Sequence, residues 1–140
     1  MSTGLLHFLD GFFIVFHTAF TLFNIVGWIW KKTRKIHLAT LLLTLFSWLI
    51  LGIWYGFGYC FCTDWHWQVR AMLGNYPTET GYIQFLVNLL TGLNVSYKLT
   101  NDVTIVVMSL IVTASVTLNT RDFIKWYKKK KQEPPIKTAE

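Results

Sequence analysis

Charged residues are scarce here, 14% of a 140-residue chain, where a soluble domain carries roughly a quarter. With 53% hydrophobic residues and a positive mean hydropathy, that shortage excludes an ordinary water-soluble domain. It points to an integral membrane protein. Cysteine is scarcer still: two residues, Cys60 and Cys62, cannot build a disulfide framework. The opening MSTGLLHFLD holds no Lys or Arg, so it lacks the basic stretch that begins a cleaved signal peptide. Internal repeats are missing, as are Walker, dinucleotide-glycine, HExxH and GxSxG signatures, which excludes the common nucleotide, zinc-protease and hydrolase motifs.

The charge that is present has a pattern. A net charge of +6 would suggest nucleic acid in a soluble protein. Its placement says otherwise. Of thirteen Lys and Arg, four sit in the KKTRK turn (Lys31, Lys32, Arg34, Lys35), seven follow the last apolar run from Arg121 to Lys137, and only Arg70 and Lys98 lie elsewhere. Positive charge packed against the ends of apolar runs is the topology signal of a membrane protein. The expected partner is therefore a lipid bilayer, and no nucleic acid is expected.

The length allows one domain. An apolar run over residues 5–30 is long enough to cross a hydrocarbon core of about 30 Å with some tilt. A second run covers 36–59, and KKTRK joins the two as a helical hairpin. A third span, 101–121, starts from Asn101 and Asp102 as N-caps. Residues 81–95 are apolar but give only about 20 Å of helix, with Gln84, Asn88 and Thr91 on one polar face. That pattern predicts a short interfacial or re-entrant helix. Counting it as a full span would put the basic segment after Arg121 outside, against the positive-inside rule. The expected fold is thus an all-α membrane protein with three transmembrane helices plus that short helix, a four-helix arrangement. Residues 1–127 make the single transmembrane domain, with its N-terminus outside, and 128–140 make a basic, disordered cytoplasmic tail.

Polar side chains inside the spans mark candidate sites, because such groups are costly in hydrocarbon and turn toward the bundle interior. On the first span His7, Asp10, His17, Thr21 and Asn24 follow a three/four spacing and form one stripe. His17 falls near mid-span. It reads either as interhelical hydrogen-bonding glue or as a ligand contact, proton relay, metal ligand or haem ligand; a haem would need a second histidine at equal depth. The second span carries its own stripe of His37, Thr40, Thr44 and Ser47, then Gly52 and Gly56 at the small-xxx-small spacing that lets helices approach. His37, beside the basic turn, needs no special explanation there.

The stretch GYCFCTDWHWQVR (residues 58–70) concentrates the remaining chemistry. If extended, it projects Cys60, Cys62, Asp64 and His66 to one side, where Cys60, Cys62 and His66 are metal-ligand candidates. Competing readings are a strained Cys60–Cys62 disulfide, buried cysteines beside interfacial Trp65 and Trp67, or a helix from Trp65 to Met72 capped by Asp64.

This stretch, with FHTAFTLFNIVGWIWKKTRKIH (residues 16–37), the Gly-Tyr-Ile-Gln-Phe segment from Gly81 and LNTRDF at Leu118 to Phe123, resembles a bacterial, Bacteroidetes-type family. It comprises small integral-membrane proteins catalogued as a domain of unknown function. Its marks are a first-helix His followed by Phe and Gly, and a Cys-Pro-Leu-Thr-like element after the second helix. His17, Phe20, Gly27, Cys60, Thr63 and Arg70 match those marks, whereas Phe61 and Cys62 depart from them. The resemblance implies the fold and a bacterial cytoplasmic (inner) membrane, and no reaction or cofactor; it shifts weight from the cysteines to Asp64, His66 and Arg70. The leading expectation is a binding or accessory protein with an outer-facing polar pocket for a lipid, a quinone-like ligand, a second membrane subunit or a homo-oligomer contact. His7, Asp10, His17, Asn24, Asp64, His66 and Arg70 are the pocket candidates. The rivals are an outer-leaflet enzyme using a His/Asp pair and a metal-binding membrane protein.

Overall fold

The computed structural model describes residues 2–132. It contains five helices among them: α1 (Thr3–Val26), α2 (Arg34–Tyr55), α3 (Phe61–Met72), α4 (Tyr82–Thr91) and α5 (Tyr97–Gln132). α1, α2 and α5 are each long and apolar enough to cross a membrane. The expected four-helix arrangement falls one short, because the 58–70 stretch is helical rather than extended. Cys60 is the last extended residue (φ −125°, ψ 115°), and the helix begins at Phe61. Asp64 in its first turn and Arg70 in its last both complement the helix dipole, a local signal as strong as any strand alternation.

The element ends differ from expectation for backbone reasons. α1 stops at Val26, where Gly27 caps it. The following turn is tied by Thr33 Oγ1 donating to the Gly27 carbonyl at 2.6 Å and by Arg34 Nε donating to the Trp28 carbonyl at 3.0 Å. α2 ends at Tyr55 because Gly56 adopts φ 100°; that glycine makes a turn, not a helix–helix contact, and Gly52 faces Phe57 of the returning chain. α5 starts before Asn101 and Asp102, which lie inside it, and continues through residues 128–132 of the expected tail. Residues 133–140 lie outside the described residues. The polar face of α4 is used internally: Gln84 Nε2 donates to the Val95 carbonyl at 2.9 Å and Asn88 Oδ1 accepts from Val95 N–H at 3.0 Å, closing the loop into α5.

Burial is inverted relative to a soluble domain. Among the described residues eight polar side chains are buried against six apolar ones, while Val15, Ile53 and Leu110 are 70%, 71% and 67% exposed. Exposed apolar faces on all three long helices are surfaces that hydrocarbon would cover. The polar interior at one end is a single node. His37 is fully enclosed; its Nε2 lies 2.9 Å from the Asn24 carbonyl oxygen and its Nδ1 3.2 Å from Ser115 Oγ, joining α2 to α1 and α5. Thr40 Oγ1 donates to Asn24 Oδ1 at 3.0 Å. Gly27 lets the imidazole in, since a Cβ there would meet His37 Cδ2 at 3.0 Å. At the same end Arg34 and Asp122 pair at 2.9 Å, bringing the KKTRK turn and the first basic turns of α5 together.

Removing this node should loosen the whole bundle. His37→Ala is expected to lower stability by about 2 kcal/mol, as for a buried group whose two partners are orphaned, and Ser115→Ala by less than half of that. Denaturant titration of the protein in detergent micelles, followed by tryptophan fluorescence, measures both; equal stability of His37→Ala and wild type would show that the node carries no load.

Candidate functional site

The short helices α3 and α4 pack against the first part of α1, at the end of the bundle away from the His37 node. Two sets of polar groups result, and they are distinct. The first is a packed triad. His66 Nε2 lies 2.8 Å from Asp10 Oδ1, and Arg70 Nη1 reaches the same oxygen at 3.5 Å. One turn of α3 separates His66 from Arg70, so both point at α1 together. The His66 ring is fully enclosed, 5.6 Å from the Phe13 ring and 5.9 Å from that of Phe85, and the Arg70 guanidinium lies 4.9 Å above the Phe85 ring.

This environment defines the protonation of His66. Its Nε2–H donates to Asp10, and its Nδ1 has no partner among the described residues. Protonating Nδ1 would place a second N–H in an apolar pocket without an acceptor. Burial accordingly holds His66 below the usual imidazole range; Asp10 works against that depression, and Arg70 adds to it. The triad is therefore a neutral histidine bridging an already compensated Asp–Arg pair.

The second set surrounds a cavity of about 540 Å³, within the roughly 300–1,000 Å³ typical of small-molecule sites. It lies between α1, α2, the 56–60 turn, the start of α3, α4 and α5. Three pocket candidates line it: His17, Asn24 and Asp64. Asp10, His66 and Arg70 do not, being consumed by the triad, and His7 is exposed on α1. Asp64 accepts from Gln68 Nε2 at 2.8 Å on its own helix, rather than pairing with Arg70. Cys60 and Cys62 are free thiols and both line the cavity.

His17 is the hub of this wall. Only 6% exposed, it stacks on Tyr82 with ring centroids 3.7 Å apart and planes 15° from parallel. Its Nε2 lies 3.8 Å from Cys60 Sγ, while Nδ1 has no partner among the described residues. The Tyr82 hydroxyl donates to the Phe13 and Ile14 carbonyls at 3.4 and 3.3 Å, which pins α4 to α1. Cys60 is the more acidic thiol: the neighbouring Cys62 thiol lowers it most, against burial, and His17 lowers it further. Cys62 is raised in turn. Tyr82 and Trp48 were not among the sequence candidates, whereas Ser47 belonged to the polar stripe of the second span. The six-residue π-helical turn Phe46–Leu51 carries Ser47 and Trp48 into the wall, where Ser47 Oγ donates to the Tyr59 carbonyl at 2.9 Å. Such turns give no periodic signal.

Helix formation from Phe61 splits the proposed metal ligands. Cys60 and Cys62 line the cavity, whereas His66 Nε2 lies against Asp10 Oδ1. Among the described residues no three His, Cys, Asp or Glu side chains converge as a metal site.

Fold and site together define an all-helical protein with three helices of membrane-spanning length and a mostly apolar internal cavity. Residues 7–120 match the family described as "Protein of Unknown function (DUF2784)", and the chain belongs to that family. No curated protein and no solved structure matches it.

The triad makes a pH prediction. A histidine whose folded pKa lies below its usual 6.5 leaves the unfolded chain binding more protons as the pH falls past that value. Stability should be complete above about pH 6.5 and decline below it, until the folded imidazole also protonates. His66→Gln should flatten this window in thermal unfolding scans between neutral and mildly acid pH; an unaltered slope would exclude His66 as its source.

Proposed function

We propose that this chain is a bacterial inner-membrane binding protein. Its cavity would take one amphipathic molecule, with a small hydrogen-bonding head and an apolar tail, such as a lipid or a quinone-like compound. The observation that carries this reading is the roughly 540 Å³ cavity with a mainly apolar lining and a few polar side chains in its wall, among them His17 and Asp64. A small head group would hydrogen-bond to the polar side chains of the lining, and the tail would lie among the aromatic and aliphatic walls. Supporting the three-span topology, Arg34 and Asp122 pair, and so bring the two basic segments to one end. By the positive-inside rule that end is cytoplasmic. The cavity then opens nearer the outer leaflet, and the N-terminus lies outside.

The enzyme alternative, a His/Asp pair, has its pair in Asp10 and His66. That pair is enclosed, however, and lies off the cavity. A general base must reach the proton it removes, so the pair favours a structural role.

Binding is testable with Trp48 and Trp67, which line the cavity. A decyl-substituted benzoquinone and a phospholipid with brominated chains should each quench tryptophan fluorescence if they enter. One of them should do so saturably at one equivalent in wild type. Met108→Trp, which fills the cavity, should weaken binding by about a hundredfold, and His17→Ala, which removes the ring stacked on Tyr82 in the wall, by roughly tenfold. Non-saturating quenching that is identical in all three proteins would leave the cavity without a ligand.

A further inference from the structure

The cavity wall carries more chemistry than binding requires. Two thiols, one residue apart in sequence, line the same space, and both are free. Cys60 sits in extended backbone as the N-cap of α3, where the helix N-terminus favours a thiolate, and Cys62 follows in the first turn. Among the described residues His17 is the one buried imidazole on the cavity wall, and it approaches Cys60 Sγ through Nε2 at 3.8 Å. Its Nδ1 is left without a partner among the described residues. An imidazole nitrogen held beside a thiol can take that thiol's proton. Phe20, Trp48, Trp67 and Tyr82 supply aromatic faces around the same space, which suit a flat conjugated ring.

We infer that Cys60 and Cys62 form a redox-active dithiol that reduces a lipid-soluble quinone held in the cavity, with His17 as the proton carrier. The inference rests on the binding reading above and narrows its ligand to a two-electron acceptor. His17 Nε2 takes the Cys60 proton. The Cys60 thiolate gives electrons to the quinone ring, and Cys62 closes onto the Cys60 sulfur as its own proton leaves. Two S–H bonds break and one S–S bond forms. The two electrons and two protons convert the two quinone carbonyl oxygens to the hydroxyls of a quinol, so both sides balance. A single turnover needs only the reduced protein and the quinone; repeated turnover needs an external dithiol to reduce the Cys60–Cys62 disulfide again.

The test uses the full chain in detergent, reduced and then freed of reductant without oxygen, and mixed with one equivalent of decyl-substituted benzoquinone. Mass spectrometry of the peptide spanning Cys60 and Cys62 should show a loss of two hydrogens, matched by one quinol per chain in the ultraviolet spectrum. Cys60→Ser and Cys62→Ser should each produce no quinol. His17→Gln should slow the oxidation roughly a hundredfold and move its rate profile to more alkaline pH, a readout that a packing role would not move. Saturable quinone binding with both thiols unchanged would overturn the inference and leave the binding reading intact. A quinone adduct stable on one sulfur, or disulfides formed only between chains, would also overturn it. No saturable binding in wild type or variants would remove both.

Discussion

A fully enclosed histidine holds the three long helices together. His37 spans from the Asn24 backbone carbonyl on α1 to Ser115 Oγ on α5, and no other side chain in the described residues bridges all three. Where lipid surrounds a bundle there is no hydrophobic force between helices, because tails are as apolar as leucine. Association then depends on close packing and on polar groups that would otherwise be orphaned. The absence of side-chain bulk at Gly27 is part of the same device, since it sets how near α1 lies to the ring. Asn24 is held by Thr40 and Thr44 as well as by its place beside His37. It therefore closes one end of the cavity with its hydrogen bonds already committed.

The opposite end is built differently. There two short helices replace membrane-length ones, and they are joined to α1 by aromatic stacking and by the Asp10–His66–Arg70 triad. A ten-residue helix such as α4 is about 15 Å long and cannot fill the space that a full span would occupy between α1 and α5. The cavity is a consequence of that mismatch. The π-helical turn in α2 bounds it on the other side and turns Ser47 toward the Tyr59 carbonyl, which ties the 56–60 turn to α2 at the cavity wall.

These two ends were unequally legible in the sequence. The three long apolar helices and the hairpin turn followed from apolar length and basic flanks, and His17 and Asn24 were visible as members of a helical stripe. His37 was discounted because position beside a basic turn is a sufficient reason for a histidine, and burial leaves no mark on one-dimensional pattern. In the 58–70 stretch, period two and the helical charge pattern of Asp64 and Arg70 competed within a dozen residues. The helix won, and that sent His66 to Asp10 while leaving the cysteines on the cavity. Asp10 and His17 share a stripe, yet seven residues of helix separate their levels by about 10 Å, enough to put them in different sites. The π turn itself left no periodic signature, and nothing in the pattern set Tyr82 apart from the other apolar residues of its short helix.

The division of the polar stripe also decides which groups are available for chemistry. Asp10 already accepts from His66 and lies near Arg70, so its charge is compensated and its oxygen Oδ1 is occupied. A catalytic role would require breaking contacts that hold α3 to α1. His17 carries no such burden: Tyr82 fixes its plane by stacking, which uses neither nitrogen, and only Cys60 approaches an edge. Stacking orients an imidazole without spending its hydrogen bonds. In a cavity of mostly apolar walls that leaves one oriented imidazole beside two thiols, whereas the acid–histidine pair that first draws the eye in the sequence is spent on packing α3 against α1.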